Sequence, residues 1–245
     1  MGRDPRTRIV WHGHACVEIR TGGGRTVLVD PWFGNPRSVT PPERVTACDL
    51  LLVTHGHADH VGDALELAAR FRPAWPCIHE LALWLRGAAP ALGDLVVGMN
   101  KGGTVEAAGL RVTMVPADHS SGELLPGAGA GDVRYLGEPA GFVVELEDGY
   151  RVYHAGDTNV FGDMALIREL HRPDLAILPI GGHYTMDPRG AALAVELLGV
   201  AEVLPIHWGT FPALAGTPER LEAELAARGL GAVRVHRVDP GEPLP

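Results

Sequence analysis

Leu50-Leu51-Leu52-Val53-Thr54-His55-Gly56-His57-Ala58-Asp59-His60 places four ligand-type side chains in a six-residue window, directly behind an apolar run. A short uninterrupted apolar run reads as a fully buried strand. The side chains that follow are therefore held at the end of a rigid element. Neutral imidazole and ionised carboxylate are the usual nitrogen and oxygen ligands of a catalytic divalent ion, and a short turn lets alternate residues face one point. Twelve histidines in 245 residues would ordinarily be scattered surface and core groups, but four ligand-type residues in one hexapeptide are not a scatter. His79, His171 and His236 stand in ordinary helical or edge contexts and read as non-functional.

The same order, an apolar strand and then a ligand-type residue, recurs along the chain. Leu50–Val53 leads to His55, Arg111–Val115 to His119, Tyr150–Tyr153 to Asp157 and Val203–Ile206 to His207. If these strand ends share one rim, distant segments deliver ligands to a common point, which is where sites usually sit.

Around these anchors, periodicity and turn signals predict strands at Arg8–Trp11, Ala15–Arg20 and Thr26–Val29, with Gly22-Gly23-Gly24 as a turn. A helix near Asp63–Arg70, a strand Trp75–Ile78, a helix Glu80–Arg86 and strands Thr104–Ala107 and Arg111–Val115 follow. After a Gly/Pro/Ala-rich stretch, Gly122 to Gly141, a hairpin of Phe142–Glu147 and Tyr150–His154 is predicted through a two-residue Asp148-Gly149 turn. Helices near Asp163–Leu170, Arg189–Leu198 and Pro218–Arg228 then alternate with strands Leu175–Ile180, Glu202–Ile206 and Ala232–Val235. The expectation is one domain over 1–245 with two similarly ordered halves, roughly 1–121 and 141–245. The intervening stretch is a candidate lid beside His119.

Composition narrows the function classes. An apolar share of 46% supports a sizeable core, and no apolar run approaches the roughly 20 residues of a membrane span. The N-terminal residues lack a secretory signal's apolar middle, so a cytoplasmic protein is expected. A net charge of −9, with no basic run in the sequence, argues against broad electrostatic capture of nucleic acid. Cys16, Cys48 and Cys77 form no C-x-x-C motif and read as small buried hydrophobes.

The motif His-x-His-x-Asp-His, with His119 in Ala117-Asp118-His119-Ser120, Gly156-Asp157-Thr158 and the late His207, resembles the metallo-β-lactamase superfamily. The phrases Trp11-His12-Gly13-His14, Leu28-Val29-Asp30-Pro31, Tyr153-His154-Ala155-Gly156 and Gly181-Gly182-His183-Tyr184 resemble one branch of it. That branch holds metal-dependent hydrolases near the ascorbate-6-phosphate lactonases and the N-acylphosphatidylethanolamine phospholipase D group. The resemblance implies a four-layer αββα sandwich, each half-chain giving one sheet and its helices, and homo-oligomers are common among its relatives.

The resemblance also implies a binuclear site, with His55, His57 and His119 on one ion, Asp59, His60 and His207 on the other, and Asp157 bridging. Two divalent ions about 3.5–4 Å apart turn a shared water into a hydroxide nucleophile, so the implied reaction is hydrolysis of a small substrate, a lactone or phosphodiester first. Imidazole and carboxylate ligation fits zinc and admits manganese or iron. Asp59 and His183 are the candidate catalytic groups, and Asp30 is expected to support the histidine cluster by hydrogen bonding. His14 and His154 could also face the pocket. Ser120 and Ser121 read as loop hydrogen-bonders or substrate contacts, since no general base is spaced to activate them. The alternatives are a nuclease of the same superfamily and a non-catalytic metal-binding scaffold. An oxygen- or nitric-oxide-reducing role is disfavoured, because such relatives carry a glutamate where this chain has His57.

Overall fold

A computed structural model of the chain describes residues 2–124 and 132–245. Most of the candidate lid's central stretch, residues 125–131, lies outside the described residues. The first sheet is β1 (Arg8–Trp11), β2 (Val17–Arg20), β3 (Thr26–Val29) and β4 (Leu50–Leu52), in that order. A parallel pair, β5 (Trp75–Ile78) and β6 (Val96–Met99), extends it through a bridge between Leu50 and Ala74. The second sheet begins with β7 (Thr104–Ala107) and β8 (Leu110–Pro116). A short pair, β9 (Glu123–Leu124) and β10 (Val133–Arg134), precedes β11 (Ala140–Glu145), β12 (Arg151–His154), β13 (Leu175–Pro179), β14 (Glu202–Ile206) and β15 (Arg234–Val235). The second sheet runs β15-β14-β13-β12-β11-β8-β7.

Side chains alternate across a strand, so a strand covered on both faces is apolar throughout and splits its residues between two cores. β13 does this: Leu175 and Ile177 join the core between the sheets, while Ala176 and Leu178 join the core under the helices. The helices of that second core are α4 (Met164–His171), α5 (Pro188–Leu198) and α6 (Pro218–Ala227). The starts of α5 and α6 follow elementary capping chemistry. The Asp187 carboxylate accepts from Gly190 N–H at 2.8 Å and the Thr217 hydroxyl from Arg220 N–H at 3.3 Å, each before a proline at the first turn. On the other side, α2 (Ala64–Phe71) and α3 (His79–Ala88) bury Leu67, Ala68, Leu81 and Leu85 in the core shared with the first sheet. Among the described residues the remaining α-helix, α1 (Ala58–Val61), is a single turn that begins inside the histidine hexapeptide. The architecture is the expected sandwich of two mixed sheets with helices outside.

Two expectations change. β7 and β8 precede the Gly/Pro-rich stretch yet pair into the second sheet, β8 against β11 over six residue pairs, so the sheets do not divide at the half-chain boundary. The β11–β12 loop has three residues, Glu147-Asp148-Gly149, because Leu146 N–H still bonds the Tyr150 carbonyl at 2.9 Å. Gly149, at φ +80°, takes the left-handed position that ends such a loop.

Strand direction explains why the site forms at one rim. β1 and β3 each run antiparallel to β2, and β4 runs parallel to β3, so all three end on the same side. Likewise β8 and β12 are both antiparallel to β11, and β13 and β14 continue parallel to β12. The residues that follow these ends are His14, Asp30 and His55 in one sheet, and His119, Asp157, His183 and His207 in the other.

Candidate metal centre

The one-turn helix α1, begun by His57, turns Asp59 and His60 back toward the strand end that carries His55. One nitrogen each of His55, His57 and His119 lie within 4.8 Å of one another, and so do ligand atoms of His14, Asp59, His60 and His207. Asp157 sits between the groups. Its Oδ2 lies 3.1 Å from His207 Nε2, 3.3 Å from His60 Nε2 and 3.7 Å from His119 Nε2. All seven residues named as ligands from the sequence thus converge, across 152 positions of chain from His55 to His207.

Hydrogen bonds behind the cluster fix which ring nitrogens face it. Asp30, fully buried, accepts from Thr54 N–H and Thr54 Oγ1–H at 2.8 Å each, and from His60 Nδ1–H at 2.7 Å. With its proton given to Asp30, Thr54 Oγ1 accepts from His55 Nδ1–H at 3.0 Å. Both imidazoles are therefore locked with Nε2 toward the centre. This is the support role expected of Asp30. Buried His154 ties the two sheets together: its Nδ1 accepts from Gly156 N–H at 3.1 Å, and its Nε2–H donates to the Ala15 carbonyl at 3.2 Å. It positions the Asp157 loop and does not open onto the cleft. Gly156, at φ +63°, lets that loop press on Thr54, where an added Cβ would come within 2.7 Å of the Thr54 Cβ.

Four non-glycine residues at the rim, His14, Asp30, His183 and His207, have positive φ between +46° and +61°. Such conformations are uncommon for side-chain-bearing residues and persist where surrounding contacts over-determine them.

Burial drives the His55 imidazole well below its ordinary range and lowers His57 and His119. For Asp157, burial opposes ionisation, but His60 and His207 override it and hold the carboxyl well below the usual range. Burial opposes charge on His60 too, yet Asp157 and Asp30 on either side hold its proton well above the ordinary imidazole range. Neutral His55, His57 and His119 beside an ionised Asp157 are the forms that bind a cation, whereas His60 must first give up its proton.

Whether the residues fit an ion is tested by what lacks a partner. His60 Nε2, both ring nitrogens of His207 and Asp157 Oδ1 are buried without a hydrogen-bond partner. Unpaired buried polar atoms are costly, and their gathering on three neighbouring residues of the cluster, His60, Asp157 and His207, calls for a ligand. The donor set is nitrogen and oxygen only; the free cysteines Cys16, Cys48 and Cys77 are buried elsewhere.

A cleft of about 420 Å³ opens over the centre, lined by His57, Asp59, His119, Ser120, Asp157, Tyr184 and His207. Ser120 faces it, whereas the Ser121 hydroxyl accepts from Gly56 N–H at 3.1 Å and shapes the histidine loop. His183 is exposed at the rim, its ring edge-on to Tyr184 at 4.4 Å, and Tyr184 supplies that segment's contact with the cleft. Sequence reasoning missed Tyr184 and did not assign His14 a partner. His14 Nε2 lies 2.9 Å from Asp59 Oδ2. Among the described residues, no helix is long and apolar enough to cross a membrane.

Comparison with known proteins agrees with this geometry. The family model described as "Beta-lactamase superfamily domain" matches residues 25–208. A "UPF0173 metal-dependent hydrolase" of Koribacter versatilis is 44% identical over 236 residues, covering 96% of each chain. One of Archaeoglobus fulgidus is 46% identical over 237 residues, covering 96% of this chain and 97% of that one. Among solved structures, Igni18, described as a novel metallo hydrolase from Ignicoccus hospitalis, superposes with a TM-score of 0.83 at 36% identity over 97% of both chains. A chain that this family model matches over most of its length, and that is 44–46% identical to these two relatives, belongs to the metallo-β-lactamase superfamily, among its UPF0173 members.

Proposed function

We propose that the protein is a metal-dependent hydrolase with two ion sites and a small-molecule substrate. His55, His57 and His119 hold one ion, Asp59, His60 and His207 the other, and Asp157 serves both. The observation that carries this reading is the set of partnerless buried atoms on His60, His207 and Asp157. Bound there, a pair of divalent ions supplies Lewis acidity that acidifies a water and polarises the substrate's carbonyl or phosphoryl oxygen. Zinc is the first assignment for this nitrogen and oxygen set, with manganese or iron compatible.

The chain's own residues do the remaining work. Asp30 and Thr54 keep the His55 and His60 lone pairs aimed inward, so no reorganisation is needed when charge develops. Tyr184 and Ser120, on the cleft wall, are placed to orient the substrate. His183, beside Tyr184 at the mouth, is the proposed proton donor or substrate contact. A lactone or a phosphodiester is the proposed bond, in keeping with resemblance to the ascorbate-6-phosphate lactonases and the N-acylphosphatidylethanolamine phospholipase D group.

The test is to prepare the protein ion-free, reconstitute it with zinc or manganese, and screen lactone, phosphodiester and β-lactam panels. Two ions per chain and ion-dependent turnover on the lactone or phosphodiester panel are expected. Uptake of fewer than two ions, or no turnover on any panel by the fully loaded protein, would overturn the reading.

A further inference from the structure

We propose that His14 is a positioning residue for the second ion site, holding the Asp59 carboxylate by one oxygen so that the other is presented to the ion. This rests on the two-ion reading above. His14 follows β1, 45 residues from Asp59 in sequence, and its side chain is 1% exposed. Both ring nitrogens are engaged: Nε2 with Asp59 Oδ2 at 2.9 Å and Nδ1 with Thr210 Oγ1 at 3.0 Å. An ionised carboxylate can only accept, so Nε2 carries the proton and Nδ1 accepts from the Thr210 hydroxyl.

That arrangement separates His14 from His60 and His207, the histidines assigned to the same ion. His60 has one nitrogen held by Asp30 and the other without a hydrogen-bond partner, and His207 has both without one. His14 has no lone pair left for an ion, although its ring lies within ligand distance of Asp59, His60 and His207. Its main chain serves the same site, because the His14 carbonyl accepts His207 N–H at 2.8 Å and Trp11 Nε1–H at 2.9 Å. One residue thus fixes the backbone of one proposed ligand and the side chain of another. The ring is packed by His207, at 3.9 Å between centroids, and by the edges of Trp32 at 5.1 Å and Phe211 at 6.0 Å. Shielding from water strengthens the bond to Asp59.

The experiment measures ions bound per chain and the affinity of each site, using zinc alone and then cobalt(II) as a spectroscopic probe. The wild type is compared with His14→Ala, His14→Gln and Thr210→Val. Removing a group that orients an ion ligand typically costs 10–100-fold in affinity. His14→Ala should lose roughly that much at the second site while the first site keeps wild-type affinity. His14→Gln, whose amide N–H can still reach Asp59, should recover most of it. Thr210→Val, which removes only the hydroxyl that sets the ring's tautomer, should weaken the second site by a smaller factor, and this holds as a test even if His14→Ala fails to fold. Wild-type affinity at the second site in both His14→Ala and Thr210→Val would overturn the proposal, as would equal weakening of both sites. A wild type that takes up fewer than two ions would instead refute the two-ion reading and this inference with it.

Discussion

Oδ2 of Asp30 lies 2.7 Å from Nδ1 of His60, and neither side chain is open to solvent. Asp30 also takes both donors of Thr54, so its removal would strand three buried donors at once. Breaking a buried pair by deleting one partner costs about 3–5 kcal/mol. Asp30→Ala should lower the stability of the ion-free protein by about 3 kcal/mol in urea unfolding. A loss below about 1 kcal/mol would show that the site tolerates an open network.

Asp157 approaches histidines of both ion groups, with His60, His119 and His207 all within 3.7 Å of Oδ2. Asp157→Ala should therefore weaken uptake at both sites by more than about 100-fold, beyond what losing an outer partner causes, and abolish turnover. Ion content after equilibration at limiting zinc distinguishes this from the single-site loss expected for His14→Ala. Retained turnover would show that the carboxylate is not shared.

His183 and Tyr184 can be separated. As a proton donor, His183 would contribute on the order of 100-fold to turnover, so His183→Ala should lower kcat by about that factor with ion content unchanged. Tyr184→Phe keeps the ring on the cleft wall and should act mainly through KM. Ion loss in His183→Ala would recast that residue as structural.

The buried charge balance predicts a pH dependence of ion uptake. In the ion-free protein, burial of His60 opposes its charge, but Asp157 and Asp30 override this and keep the proton on the ring. An incoming ion must displace that proton, so apparent affinity should rise with pH, by about tenfold per unit for one proton, between about pH 6 and 8. Competition titrations would measure the slope, and a flat profile would contradict the assignment.

His12, outside the cleft, predicts an acid limit to stability. Burial, with a smaller contribution from Arg20, lowers its imidazole to about 4, against about 6.5 in the unfolded chain. The unfolded state binds more protons between these values, so this contribution is complete above about pH 6.5 and lost as pH falls toward about 4. The loss is about 3 kcal/mol, and His12→Gln should flatten that part of the unfolding curve. An unchanged pH profile in the variant would rule His12 out as the source.

The clustering of these side chains is legible because it is written in residue type and place: imidazoles and carboxylates directly after apolar strands whose direction the topology makes common. Asp30 was legible for the same reason. His14 was named, but its task was not, because its partners Asp59 and Thr210 lie 45 and 196 positions away and no local spacing records either contact. β6 was missed because Val96–Met99 is short and contains Gly98, a weak strand former, at a position where the close approach of Ala82 leaves little room for a side chain. The place of β7 and β8 was hidden for another reason. Their alternating pattern says that they are strands, not which sheet they join, and pairing is settled by neighbours far along the chain.

That placement has a consequence for any attempt to divide the polypeptide. A fragment stopping at Ser121 would contain all three histidines of the first ion group, yet the strand that carries His119 would lack Ala140–Glu145, its partner on one side. Cleaved pieces should regain zinc only when mixed, since the cut parts His119 from the strand that steadies it and from Asp157, proposed for both ions.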